Sequence, residues 1–139
     1  MRLNIYADGA SWGNPGPAAI GVIIKDEQQK VLVKVSRYIG DRTNNQAEYQ
    51  AVIAALKEAS RFKADLATLY LDSELVAKQL TGSYKVRNLF LFPLHKEAVE
   101  LCKKFTKLSI VHVGHEGNSE AHALAKAALQ KFASPKAQI

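Results

Sequence analysis

The chain has 139 residues, of which 47% are hydrophobic, and this length and composition are typical of one compact globular domain. No apolar run approaches the roughly 20 residues that cross a bilayer, so we expect no membrane partner and no leader peptide. The single cysteine, Cys102, excludes an intrachain disulfide, and we therefore expect a cytoplasmic protein. The formal net charge of +6 favours a polyanionic partner.

The N-terminal half predicts three strands followed by a long helix. Alternating, β-rich runs predict strands over residues 3–8, 19–25 and 31–39, with a turn cluster at residues 13–17. Thr43 and Gln46 have the spacing of a capping box, so a helix is predicted from residue 44 to about residue 61.

The C-terminal half predicts strands that alternate with helices. In chain order these are a strand over 66–72, a helix over 73–80, a loop over 82–88, a helix from Pro93 to about 104, a strand over 108–113 and a last helix that is capped by Asn118 or Ser119 and runs to about 132. Three consecutive strands followed by two crossovers predict an α/β fold with a five-stranded mixed sheet, three strands antiparallel and two joined by parallel crossovers, flanked by helices. Residues 1–133 are expected to form a single domain and 134–139 a flexible tail.

Two of the predicted strands end on an aspartate. Asp8 and Asp72 each lie one pleat beyond a tyrosine on the more polar face of their strand. If the strands are parallel neighbours, both carboxylates lie side by side at the carboxyl edge of the sheet. An alternative is that each is a turn or capping residue, and Asp72, which precedes a helix, is the stronger candidate for capping.

A third carboxylate lies near the start of the long helix. Glu48 shares a helix face with four apolar residues, namely Val52, Ala55, Leu56 and Ala59. A lone carboxylate on a face that packs against a sheet is costly unless a donor or a cation meets it. Three gathered carboxylates are ligands for hard divalent cations. The alternative is a structural role at the positive end of the helix dipole.

Five segments together resemble the type 1 ribonuclease H family. They read Tyr-Ala-Asp-Gly-Ala-Ser at residues 6–11, Gly-Asn-Pro-Gly-Pro-Ala at 13–18, Thr-Asn-Asn-Gln-Ala-Glu at 43–48, Leu-Asp-Ser at 71–73 and Val-Gly-His-Glu-Gly-Asn at 113–118. Their order and spacing match the family over nearly the whole chain. The long basic insertion of some members is missing, because residues 82–88 run almost directly into the next helix, and the resemblance implies the family's five-stranded fold.

The resemblance implies a nuclease that cuts the RNA strand of RNA–DNA hybrids and leaves 5′-phosphate and 3′-hydroxyl ends. It implies two divalent ions, Mg²⁺ or Mn²⁺, held by Asp8, Glu48 and Asp72, with Asp8 as the bridge. One ion activates water and the other stabilises the leaving oxygen. His115 matches a loop histidine that assists proton transfer or product release.

The resemblance also implies contacts to the substrate. The matching positions are Gly9, Asn14, Thr43, Asn44 and Asn45. The asparagines suit 2′-hydroxyls and base edges in a shallow minor groove, Thr43 suits a phosphate of the DNA strand, and Gly9 permits close approach of the RNA backbone. Helix capping is the alternative for Asn44 and Asn45. Lys85 and Arg87 are expected to replace part of the missing basic insertion.

One position departs from the family. Many members carry a fourth carboxylate where this chain has His122. In the first of three hypotheses His122 is a metal ligand or outer-sphere partner, which would favour Mn²⁺ over Mg²⁺. In the second it is a surface histidine, and Glu116 or Glu120 approaches the metal. In the third the fourth position is lost, and the protein is a non-catalytic hybrid-binding module. A monomer is expected.

Overall fold

The computed structural model describes residues 1–133 and contains one five-stranded sheet in that range. The strands are β1 (Arg2–Ser11), β2 (Gly16–Asp26), β3 (Val31–Arg42), β4 (Leu66–Leu71) and β5 (Leu108–His112). The helices are α1 (Asn44–Ser60), α2 (Glu74–Leu80), α3 (Phe92–Cys102) and α4 (Ser119–Ala133), and a 3₁₀ turn, His115–Asn118, precedes α4. The tail predicted at residues 134–139 lies outside the described part.

The sheet has the strand order β3-β2-β1-β4-β5. Pairing is antiparallel between β1 and β2 and between β2 and β3, and parallel between β1 and β4 and between β4 and β5. This confirms the predicted mixed sheet. The first three strands are longer than predicted because backbone pairing continues through the turn-rich residues, as in the pair Ser11 and Ala18.

Helices cover the two faces of the sheet unequally. On one face α1 packs against β1 and β2, and α3 packs against α1. The predicted apolar face of α1 is fully buried there, together with Leu3, Ile5 and Ala7 of β1. On the other face α4 packs on β1, β2 and β3. Tyr6 and Tyr70 pair directly in the parallel register, and their rings stack with centroids 4.7 Å apart.

Local signals explain most helix ends. Thr43 and Gln46 form the predicted capping box of α1, and the Ser73 hydroxyl accepts from the Val76 N–H at the start of α2. The predicted cap of α4 was wrong: the Asn118 side chain bonds elsewhere, and Ser119 is already helical. None of the helices in residues 1–133 is long and apolar enough to cross a membrane.

Candidate active site

Asp8 and Asp72 meet at the edge of the sheet where β4 ends. Tyr6 and Tyr70 are partners in the parallel register, and β4 stops at Leu71, so Asp72 is the first residue beyond the strand. Asp8 is buried, and Asp72 is partly buried. Because Ser73 caps α2, Asp72 is not the helix cap, and its carboxylate is available to the site.

Glu48 reaches the same place from the helix on the opposite face. A Cβ on Gly9 would lie 2.2 Å from the Ala47 carbonyl carbon, so only glycine lets α1 approach β1 this closely. The Gly9 N–H donates to Glu48 Oε1 at 2.9 Å. We predicted that glycine is needed at position 9 so that the RNA backbone can approach. In the structure, glycine is needed there because the backbone of Ala47 packs against it.

The three carboxylates form a compact oxygen cluster. One ligand atom from each of Asp8, Glu48 and Asp72 lies within 4.8 Å of the others. Glu48 Oε2 is buried and has no hydrogen-bond partner among the described residues. Burial raises the pKa of Glu48 well above its ordinary value, and the neighbouring Asp8 adds to this; burial and then Asp8 also raise the pKa of Asp72. An orphaned oxygen among like charges fits a bound cation.

His122 faces this cluster from α4. Its Nδ1 lies 2.7 Å from Asp8 Oδ2. Gly21, the partner of Asp8 on β2, permits this because a Cβ there would lie 1.9 Å from the Ala121 carbonyl oxygen. His122 therefore occupies the site and contacts one of its acids, and direct coordination of a metal by His122 stays a prediction.

The two other acids of the last helix region do not join the cluster in the described chain. Glu120 forms an ion pair with Lys25, with 2.6 Å between Oε1 and Nζ, and Glu116 is exposed. The second hypothesis, in which one of them replaces the missing carboxylate, therefore finds no support in this geometry.

Comparisons with known proteins agree with the fold. A family model described as "Reverse transcriptase-like" matches residues 6–128. The chain is 44% identical over 128 residues to a ribonuclease HI of Halobacterium salinarum, and 36% identical over 138 residues to a bifunctional protein of Mycobacterium tuberculosis. These alignments cover 92% and 99% of this chain but only 64% and 38% of the two relatives.

Solved structures give the same assignment. The H. salinarum RNase H1 structure matches with a TM-score of 0.90 over 94% of this chain and 99% of that one. LC11-RNase H1, solved in complex with an RNA/DNA hybrid, matches with a TM-score of 0.88 at 38% identity, over 95% of this chain and 99% of that one. The chain belongs to the ribonuclease H family.

The second histidine of this ribonuclease H family member lies at the rim of the site. His115 begins the 3₁₀ turn and is largely exposed, and its Nδ1 lies 3.6 Å from Asp72 Oδ2. Its ring meets that of His122 edge-on, with centroids 4.6 Å apart. The two histidines thus each face one aspartate. His95 lies outside the site, where its Nε2 hydrogen-bonds to the Gln79 carbonyl.

Sequence reasoning missed a positioning role for Asn118. This side chain is buried, and its Nδ2 donates to the Ala7 carbonyl at 2.7 Å, one residue before Asp8. The bond ties the start of α4 to β1 across 111 positions of sequence. Sequence reasoning assigned Asn118 to a helix cap because the local pattern is typical of one, and it therefore did not predict this long-range hydrogen bond.

Sequence reasoning also missed the role of Gly21, although a glycine inside a strand signals close backbone approach.

All of the predicted substrate residues except Lys85 line the carboxylate cleft or the groove beside it. Asn44 and Asn45 line the cleft that contains the cluster, and Asn45 also lines an adjoining groove with Asn14 and Thr43. The Asn44 N–H donates to Asn14 Oδ1 at 3.0 Å. Since Thr43 and Gln46 cap α1, helix capping does not occupy the amides of Asn44 and Asn45. Lys85 is exposed and lines neither space.

Proposed function

We propose that this chain is a metal-dependent ribonuclease H that hydrolyses the RNA strand of RNA–DNA hybrids and leaves 5′-phosphate and 3′-hydroxyl ends. The observation that carries the proposal is the convergence of Asp8, Glu48 and Asp72 within 4.8 Å, beside a cleft lined by amides. The hybrid complex of a relative with 38% identity supports the substrate.

In this proposal the carboxylates hold two divalent ions, Mg²⁺ or Mn²⁺. Such ions supply charge neutralisation and water activation for displacement at phosphorus. Asp8 adjoins both Glu48 and Asp72, so its carboxylate is the one that would be shared between the two ions. Glu48 contributes its buried Oε2, which has no hydrogen-bond partner in residues 1–133. Asp72, just beyond the end of β4, contributes the third carboxylate.

The histidines act on the acids rather than on the phosphate in this proposal. His122 Nδ1 orients the Asp8 carboxylate at 2.7 Å. An imidazole nitrogen at the site in place of a fourth carboxylate oxygen favours Mn²⁺ over Mg²⁺, because Mg²⁺ prefers oxygen ligands. His115 is exposed beside Asp72, where it can accept or deliver a proton as substrate enters and product leaves.

The surrounding polar groups recognise the hybrid. The amides of Asn14, Asn44 and Asn45 both donate and accept, which suits 2′-hydroxyls and base edges of a shallow minor groove. Thr43 contacts a phosphate of the DNA strand, and the backbone at Gly9 borders the RNA strand. Lys85, with Arg87, adds positive charge where other members carry the insertion.

A second candidate function is hybrid binding without cleavage. The observation behind it is that a histidine, His122, contacts Asp8. The family resemblance implies a fourth carboxylate at that position in many members.

We also propose a cytoplasmic location and a monomeric state. Size-exclusion chromatography with light scattering tests the monomeric state.

Cleavage of an end-labelled hybrid, titrated with Mg²⁺ and separately with Mn²⁺, tests the function. Internal cuts in the RNA strand only, lost in Asp8→Asn, are the expected result. Equal hybrid binding by wild type and Asp8→Asn with no cleavage at any metal concentration would instead establish the binding module. Double-stranded RNA and double-stranded DNA serve as competing substrates, because the fold alone does not fix the substrate.

A further inference from the structure

The outer edge of β5 presents backbone groups that have no partner within residues 1–133. β5 is the last strand of the sheet. The Ala67 N–H donates to the Lys107 carbonyl, and the Val113 N–H donates to the Leu71 carbonyl, so the odd-numbered residues here bond to β4. In a parallel ladder the alternate residues point the other way. The outward-facing groups therefore belong to Leu108, Ile110 and His112.

An apolar cavity opens directly beneath this edge. It has a volume of about 420 Å³ and lies between β5, α2 and α3. Its apolar lining consists of Leu80, Val99, Cys102, Leu108 and Ile110. Because strand side chains alternate between faces, a strand added along β5 would direct every second side chain toward this cavity.

The start of β5 is flanked by lysines, and their charge indicates that a segment bound at this edge would be acidic. Lys103 lines the cavity and pairs with Glu100, whereas Lys104 and Lys107 are exposed and form no ion pair in the described chain. A second copy of the chain would bring the same lysines and a net charge of +6 to the contact, which disfavours self-pairing. An acidic segment is the complementary partner.

We propose that the outer edge of β5 and its cavity form a docking site for an extended, acidic peptide segment of a partner protein. The segment adds a sixth strand through Leu108, Ile110 and His112, inserts an apolar side chain into the cavity, and places acidic residues near Lys104 and Lys107. In peptide recognition by strand addition, backbone hydrogen bonds to the sheet edge provide affinity and side-chain pockets provide specificity. The site is separate from the carboxylate cluster and does not depend on nuclease activity.

The test uses a fluorescein-labelled peptide of about ten residues in which leucine alternates with serine and the ends carry aspartates. Fluorescence anisotropy measures its affinity for the full chain. Amide exchange measured by NMR should show new protection at Leu108, Ile110 and His112, the residues whose groups face outward. A peptide of the same sequence with alternate backbone nitrogens methylated should not bind, because it cannot donate to the edge.

Two variants separate the cavity from the charge. Cys102→Trp fills the cavity and should weaken binding roughly tenfold or more, the value of one buried leucine side chain. Lys104→Glu/Lys107→Glu should weaken it roughly tenfold at low salt. Lys126→Glu/Lys131→Glu, which makes the same charge change on α4, should leave the affinity unchanged.

Any one of four results would overturn the proposal. One is no binding of the alternating peptide at about 1 mM. Another is new protection away from β5, or equal affinity of the two lysine double variants; this comparison stands even if Cys102→Trp does not fold. The last is concentration-dependent dimerisation through β5 in sedimentation equilibrium, which would assign the edge to a second copy.

Discussion

Glu48 is a buried carboxylate that has an electrostatic cost in the metal-free protein. Its Oε1 accepts from the Gly9 N–H, whereas its Oε2 has no hydrogen-bond partner within residues 1–133. Burial and then the neighbouring Asp8 raise the pKa of Glu48. Because the pKa is higher in the folded than in the unfolded state, ionised Glu48 destabilises the fold at neutral pH. This cost shrinks as the pH falls below the folded-state pKa and is gone below the lower, unfolded-state pKa. Cation binding offsets the same cost at neutral pH.

Glu48→Gln should therefore stabilise the metal-free protein while removing its response to metal. The amide keeps the bond from Gly9 and turns the orphaned oxygen into a donor toward Asp8. We expect a gain of about 1–2 kcal/mol in the free energy of unfolding, measured by urea denaturation in EDTA, and a loss of stabilisation by Mn²⁺. Glu58→Gln, which removes only the ion pair with Arg61 at the partly exposed surface of α1, is the control. It should change the free energy of unfolding by less than about 1 kcal/mol and leave the response to Mn²⁺ unchanged. A destabilised Glu48→Gln protein would contradict this account.

His122→Asp should shift metal use toward Mg²⁺. The substitution replaces imidazole by a carboxylate oxygen, which Mg²⁺ prefers, and adds a negative charge beside Asp8. The Mg²⁺ concentration for half-maximal cleavage is expected to fall roughly tenfold, whereas His122→Ala should raise the Mn²⁺ requirement. His112→Asp makes the same substitution outside the cluster and serves as the control. Identical metal titrations for wild type and His122→Ala would refute the role of His122 at the metal.

Cys102 should react slowly with alkylating reagents in the native protein. Burial raises the pKa of its thiol to about 11, and only the thiolate is nucleophilic. At pH 8 the native protein should react roughly a hundredfold more slowly than the urea-unfolded chain, because each pKa unit lowers the thiolate fraction about tenfold. The native rate should rise until the pH reaches about 11. Mass spectrometry of iodoacetamide adducts follows both rates, and equal rates at pH 8 would be inconsistent with this burial.

At the scale of elements, two glycines let two helices approach opposite faces of the same short stretch of sheet. Gly9 admits α1, which brings Glu48, and Gly21 admits α4, which brings His122. Asn118 then fixes the start of α4 to the carbonyl of the residue before Asp8. The site is therefore a consequence of helix placement on β1 and β2 as much as of its acids.

Gly21→Ala should displace α4 and destabilise the protein. The new Cβ would meet the Ala121 carbonyl oxygen, a backbone atom that cannot move without the helix. We expect a loss of about 3 kcal/mol in the free energy of unfolding, together with weaker Mn²⁺ binding because His122 moves. Gly114→Ala, where nothing lies within 4 Å, is the matched control and should cost little. A Gly21→Ala protein as stable as this control would contradict the packing.

The strands, the helices and the faces of the three acids could be predicted from the sequence, but the contacts between these elements could not. Strand alternation placed Asp8 and Asp72 on the tyrosine face, and helical spacing placed Glu48 on the buried face of α1, because both periodicities are local. Asn118 was assigned to a cap because its true partner lies 111 residues away. The geometry at His122 depends on the register between Asp8 and Gly21, which no local pattern encodes.

At the scale of the whole molecule, a small acidic cluster lies within a chain of net charge +6. Exposed lysines and arginines attract a polyanion over long range, and the acids oppose it only locally until cations bind. Hybrid binding should therefore depend strongly on salt and need divalent ions for the central phosphate only.

The affinity of Asp8→Asn for a labelled hybrid should fall steeply with salt. If two phosphates are neutralised, the dissociation constant should rise roughly tenfold between about 50 and 200 mM salt. Fluorescence anisotropy measures this slope, and Lys85→Glu should reduce it if Lys85 contacts the backbone. The same slope in Lys85→Glu as in its parent would remove Lys85 from the interface.

Gly9 of β1 and Gly21 of β2 also bear on how the chain reaches its native pairing. A slip of β1 by one residue would put Asp8 in the place of Gly9, where its Cβ would collide with the Ala47 backbone, and would send the apolar residues of the strand to the wrong face. Misregistered chains thus cannot dock α1. The close packing that assembles the site also rejects the nearest misfolded alternative, so a chain that completes its core has already aligned its carboxylates.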